Sequence, residues 1–129
     1  MTHRAFALLA AFAALAACAA DPVLLESDVP LPPGMATVRS ADIKRGGGTV
    51  TGGTFLLAGE VLDAAAAMST TIERLRGAGW TVSRSERGLD RSSCTAEKGS
   101  RVVEVTIDRR ALDPAMSTGS IVVRSVPRG

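Results

Sequence analysis

The hydrophobic period of the chain changes along its length, and each change marks an element. Over residues 61–76, Val61, Ala65, Met68, Ile72 and Leu75 recur at four-three-four-three spacing. That spacing puts them on one face of an amphipathic helix. Glu60 or Asp63 lies near its start, where the helix dipole favours negative charge. Arg74 and Arg76 lie near its end, and Gly77 and Gly79 can take the left-handed conformation that closes a helix. Ser69, Thr70 and Thr71 weaken the middle intrinsically, so packing must hold it. After Gly79 the period falls to two, with Trp80, Val82 and Arg84 alternating against Thr81 and Ser83. Residues 86–90 read as a turn.

Residues 91–97 and 101–109 read as a hairpin joined by Lys98-Gly99. In that register Glu97 faces Ser100, Cys94 faces Val103 and Ser92 faces Val105. One face carries Cys94, Ala96, Val103, Val105 and Ile107. The other carries Ser93, Thr95, Glu97, Glu104, Thr106 and Asp108, with Val102 as the exception. This is the pattern of an antiparallel sheet with one wet face. Leu112-Asp113-Pro114 breaks the chain, residues 120–126 form a final strand, and Pro127 ends it. Before the helix, residues 54–58 read as a strand and residues 35–40 as a short first strand. The pattern predicts an α+β fold: one amphipathic helix packed on a four- or five-stranded antiparallel sheet, in the order β-α-β-β-β.

Between these first strands lies Lys44-Arg45-Gly46-Gly47-Gly48-Thr49-Val50-Thr51-Gly52-Gly53. A P-loop needs Lys and Ser or Thr directly after the last Gly, then a helix. Here Gly53 leads into a strand, and residues 41–45 supply little of the preceding strand that a dinucleotide site needs. The segment reads as a mobile surface loop.

The N-terminal pattern is uniform instead of periodic. After Met1-Thr2-His3-Arg4, every residue from Ala5 to Ala17 is Ala, Phe or Leu. A bilayer span needs ~20 apolar residues, whereas a signal-peptide core needs ~7–15. Leu15-Ala16-Ala17-Cys18 at its end resembles the lipobox of bacterial lipoproteins. The resemblance implies that the Cys18 thiol is diacylated and the signal cut before it. The new amino terminus then receives a third chain. Two or more acyl chains anchor stably, whereas one is marginal. Ala19 follows Cys18 where an Asp would signal inner-membrane retention. The resemblance therefore implies an outer-membrane anchor facing the periplasm. In a Gram-positive envelope the same Cys18 would hold the protein outside the plasma membrane. The residues also admit plain secretion with cleavage after Ala20, or an uncleaved anchor. The division expected is signal peptide 1–17, lipidated Pro-rich tether 18–34 and a small α+β domain 35–129. Pro22, Pro30, Pro32 and Pro33 favour an extended tether. Val23, Leu24 and Leu25 equally allow an ordered arm along the domain.

Composition narrows the chemistry. The net charge is +2 and the basic residues are dispersed, which argues against a nucleic-acid partner. The one histidine, His3, leaves with the signal, removing the commonest general base and zinc ligand. No Gly-x-Ser-x-Gly elbow is present, and Ser117, Ser120 and Ser125 have no histidine partner. Glu104 and Asp108 share a strand face, but four residues along a strand is ~13 Å, too far for paired-carboxylate glycoside cleavage. No catalytic, metal or cofactor residue is expected. With Cys18 acylated, Cys94 is unpaired. Its register favours a small apolar core residue over a reactive thiol. The β-α-β-β-β order, with Gly79-Trp80 opening the strand after the helix, loosely resembles small envelope-lipoprotein domains. The expectation is a non-enzymatic interaction or accessory module, bound to the membrane through Cys18 and to an envelope protein partner. The alternative is a small-ligand or lipid carrier, with space left by Ala64 to Ala67.

Overall fold

The computed structural model describes residues 22–127. Its strands are β1 (Met35–Gly46), β2 (Thr49–Gly59), β3 (Thr81–Arg87), β4 (Arg91–Lys98), β5 (Arg101–Asp108) and β6 (Ser117–Ser125). The helix α1 (Ala64–Gly77) lies between β2 and β3. All strands join one antiparallel six-stranded sheet in the order β1-β2-β6-β5-β4-β3. The α+β class holds. The expected β-α-β-β-β order and four or five strands do not: the described order is β-β-α-β-β-β on six strands.

The Gly-rich segment accounts for part of the difference. It is no loop: residues 44–46 finish β1 and residues 49–53 open β2. Only Gly47 and Gly48 turn, with φ of 60 and 81. A two-residue turn with both φ positive matches the twist of its strands. Glycines weaken a strand locally, but pairing along the whole hairpin restores order.

The β4–β5 hairpin is also corrected. Its turn is Gly99-Ser100 instead of Lys98-Gly99, so Lys98 faces Arg101, Cys94 faces Val105 and Ser92 faces Ile107. Gly99 has φ of 61, which suits glycine at the first turn position. The shift moves pairing by two residues, and an even shift keeps every side chain on its face. Cys94, Ala96, Val103, Val105 and Ile107 are therefore buried as expected. Val102, on the other face, is also buried.

The helix starts three residues later than its periodicity suggested. Asp63 is its N-cap, and its Oδ1 accepts from the Ala66 amide at 3.1 Å. Val61 is buried just before the helix. The buried face is Ala64, Ala67, Met68, Thr71, Ile72 and Leu75, and Ala65 lies at its margin. The Thr71 hydroxyl is satisfied by the Ala67 carbonyl at 2.8 Å. The helix packs on β3, β4 and β5. At its C-terminal end Gly79, not Gly77, takes positive φ.

Residues 22–34 pack as an ordered arm. Leu24, Val29 and Leu31 belong to the same core as Phe55, Leu57, Met68 and Ile121. Leu24 and Val29 are fully buried. The core thus begins in the arm, ahead of residue 35 where the domain was expected to start. Residues 1–21, including the segment expected to be a signal peptide and Cys18, lie outside the described residues.

Ile72→Ala and Leu24→Ala should each lower the unfolding free energy by ~2–5 kcal/mol, the range for emptying a filled core site. Urea unfolding measures both. A near-neutral Leu24→Ala would mean that the arm is peripheral.

Candidate interaction surface

The side chains that hold the arm form one cluster. Asp28 Oδ2 accepts from Lys98 Nζ at 2.7 Å and Arg101 Nη2 at 2.6 Å. Its Oδ1 accepts from Arg101 Nη1 at 2.8 Å. Arg101 thus grips the carboxylate with both arms of its fork, the strong geometry for such pairs. The Asp28 carbonyl accepts from Trp80 Nε1 at 2.9 Å. The Arg101 guanidinium lies 4.9 Å from the Trp80 ring centre, a cation–π distance. Lys98 Nζ also donates to the Ala78 carbonyl at 2.7 Å. The Arg101 hydrogen bonds, helped by Lys98 and opposed by burial, hold the Asp28 carboxyl at about 2. Arg74 donates to Leu31 O at 3.0 Å and Arg45 to Leu25 O at 2.9 Å. The arm is therefore tied to the C-terminal end of α1, the β4–β5 turn and the β1–β2 hairpin.

At the other end of the sheet three connections are bound together. The Val61 amide donates to Pro114 O, the Ala64 amide to Leu89 O and the Arg109 amide to Asp90 O. These connections carry large apolar side chains facing water: Leu62 is 69 % exposed, Leu89 58 %, Leu112 101 % and Met116 58 %. Single exposed leucines are ordinary, whereas apolar side chains gathered on adjoining connections make this end a candidate contact surface. Arg109 binds Asp90 at 2.8 Å there, and its buried Nε has no hydrogen-bond partner. Exposed charges of both signs, Arg110 and Asp113, border the same connection.

The sheet face turned away from the helix is polar on its β3–β5 side. Arg84 and Glu86 face Thr95 and Ser93, which face Glu104 and Thr106 in turn. A shallow cavity of ≈ 280 Å³ opens there. Toward β2 the same face carries Val122 and exposed Leu56. Both sheet edges are blunted against strand addition. β1 has register shifts around Val38 and residues 42–44, and it carries Arg39, Lys44 and Arg45. β3 has a shift at Ser83 and carries Arg84, Glu86 and Arg87.

The carboxylates noted in the sequence are separated. Asp63 caps the helix, Asp90 pairs with Arg109, Glu104 with Arg124 and Asp108 with Arg91. The Ser117 hydroxyl donates to Pro114 O and the Ser125 hydroxyl to Thr51 O. Cys94 is buried, and desolvation pushes its thiol up to about 11. Cys18 lies outside the described residues. The helix–sheet interface is filled: Ala64 and Ala67 are buried and let the helix approach closely. A cavity of ≈ 540 Å³ opens at the surface between the arm and the end of α1. The sequence reading missed Asp28, Lys98 and Arg101 as a unit. Nothing local links an aspartate in the arm to cations some 70 residues later. It also missed the loop-end leucines, which are isolated in sequence. The chain matches no protein-family model, no curated protein and no solved structure.

The Asp28 carboxyl is depressed in the folded state, from 3.8 to about 2. Its contribution is complete above its unfolded value and is lost as pH falls through the folded one. Wild-type thermal stability should drop between pH 4 and pH 2 by more than that of Asp28→Asn. At pH 7, Asp28→Asn should cost roughly 1.5–3 kcal/mol, the range for hydrogen bonds to charged groups. Equal acid sensitivity of the two proteins would show that Asp28 does not carry this dependence.

Cys94 should react slowly with a thiol reagent at pH 8 in the native protein and rapidly in denaturant. It should also resist disulfide dimerisation under air. Fast native labelling would place the thiol at the surface.

Proposed function

We propose that this is a lipid-anchored envelope protein acting as a non-enzymatic interaction or accessory module. Acyl chains on Cys18 hold it at a membrane, the outer membrane facing the periplasm if the envelope is Gram-negative. The observation that carries the docking role is the group of Leu62, Leu89, Leu112 and Met116 on bound-together connections at one end of the sheet. Their occupant is an envelope protein presenting an apolar patch with charges of both signs around it. The arm that leads from Cys18 is tied at the opposite end of α1. The leucine end is thus turned toward the aqueous compartment instead of the anchoring lipid. The filled helix–sheet interface supports docking over the carrier alternative, which needs an apolar cavity there.

Cys18→Ala should abolish metabolic labelling by palmitate and leave the precursor unprocessed at that site. Absence of acyl label in the wild type would refute the anchor. A photo-crosslinking residue at Leu112 should give discrete protein adducts in cells. Leu62→Glu or Leu89→Glu should remove those adducts, while unfolding energies stay within ~0.5 kcal/mol of wild type, as for other surface changes. Adducts that persist in both variants would mean that the leucine end is not the docking surface.

A further inference from the structure

The geometry points to the Gly47-Gly48 end of the sheet as the face that lies on anionic lipid headgroups, in the membrane that holds Cys18. The inference rests on acylation of Cys18 and adds to it an orientation and a lipid contact. Cys18 stands four residues before Pro22, and four residues reach at most about 14 Å. From Pro22 the chain is held: its carbonyl accepts from the Leu31 amide at 2.9 Å, and Val23 bridges to Pro30. Asp28 then locks this turn to Lys98, Arg101 and Trp80. The acyl chains must therefore enter the bilayer close to the C-terminal end of α1.

The β1–β2 hairpin tip lies at that same end. Arg45 donates to Leu25 O in the arm, Arg101 to Val50 O and Ser125 to Thr51 O. The tip is open, with no atom within 4 Å of a Cβ built on Gly47 or Gly48. Exposed Lys44 and Arg45 flank it, with exposed Asp42 farther from the turn. Lys98 and Arg101 together outweigh Asp28 by one positive charge. Around them Arg76 is offset by Glu73 and Glu97 on the helix and β4. The tip itself offers two cations, with exposed Ile43 beside Lys44 as its apolar side chain, and the charges draw it to the surface. Basic residues held near an anionic surface are attracted to it, and salt weakens the attraction. The leucine end lies beyond the 14 residues of α1, about 21 Å along the helix axis, and is held off the bilayer.

The test uses the mature lipidated protein in vesicles of phosphatidylcholine, with or without phosphatidylglycerol, containing a headgroup spin label. A fluorophore is placed at Thr49→Cys near the tip or at Leu112→Cys at the other end. Cys94 is buried, so labelling is directed to the new thiol. The expected result is strong quenching at position 49, increased by phosphatidylglycerol and reduced by salt, with little quenching at position 112. Lys44→Glu should at least halve the increment due to phosphatidylglycerol while the protein stays vesicle-bound. Asp28→Asn should loosen the fixed direction of the arm and reduce the difference in quenching between the two positions. Greater quenching at position 112, or no dependence on phosphatidylglycerol and salt at position 49, overturns the inference. Failure of the wild type to take up acyl label or to float with vesicles overturns the anchoring reading itself.

Discussion

The bidentate pair between Asp28 and Arg101 is the joint on which the rest of this molecule depends. It is the point where the arm, the end of α1 and the β4–β5 hairpin meet. Its partners are far apart in sequence, so the contact exists only when the sheet and helix have formed. The apolar arm residues supply most of the driving force. Full burial of a side chain such as Leu24 or Val29 stabilises by roughly 1.5–3 kcal/mol each. The ion cluster adds direction. A hydrophobic strand of arm could settle on the core in several registers, but a forked Arg–carboxylate pair accepts few geometries. Trp80 completes the lock by giving its indole N–H to the Asp28 carbonyl and its ring face to Arg101.

The arm also solves a size problem. Among the described residues a single α-helix faces a six-stranded sheet, more strands than it can cover. The helix packs on β3, β4 and β5. Leu24, Val29 and Leu31 extend the apolar layer and join a core that includes Val50, Phe55 and Leu57 on the β2 side. The opposite face stays wet, and register shifts and charges protect both edges from further strand pairing. These constraints leave the ends of the sheet as the places where function can sit. One end receives the arm and the basic hairpin tip. The other gathers the exposed leucines. We read this polarity as that of an anchored adaptor, with one end assigned to lipid and the other to protein.

The sequence alone determined the class of the fold, the helix and the inside-outside pattern of the β4–β5 hairpin. Each is a local property: a 3.6-residue period, or an alternation that survives any even shift of register. The burial of Cys94 was legible for the same reason. The lipobox resemblance at Cys18 is a pattern of the same local kind, and the anchoring proposed from it rests on that linear segment alone.

Tertiary structure decided what depends on distant partners. Whether residues 22–34 hang free or pack could not be settled by four prolines and three apolar residues, since both states suit them. Core sites for Leu24, Val29 and Leu31 decided it, and Arg101, Lys98 and Trp80 fixed the register of the arm. The Gly-rich segment became a hairpin because β1 and β2 pair along their length, and β2 is held in turn by β6 through a pairing of residues 53–59 with 117–123 that no local pattern announces. The Gly99-Ser100 turn was set by one glycine's positive φ, which displaced the pairing while leaving its faces intact. The leucines of the loop end became a surface only when backbone bonds drew their connections together. A sequence states what each side chain prefers, and these sites arise from which preferences the folded chain brings within a few ångströms of one another.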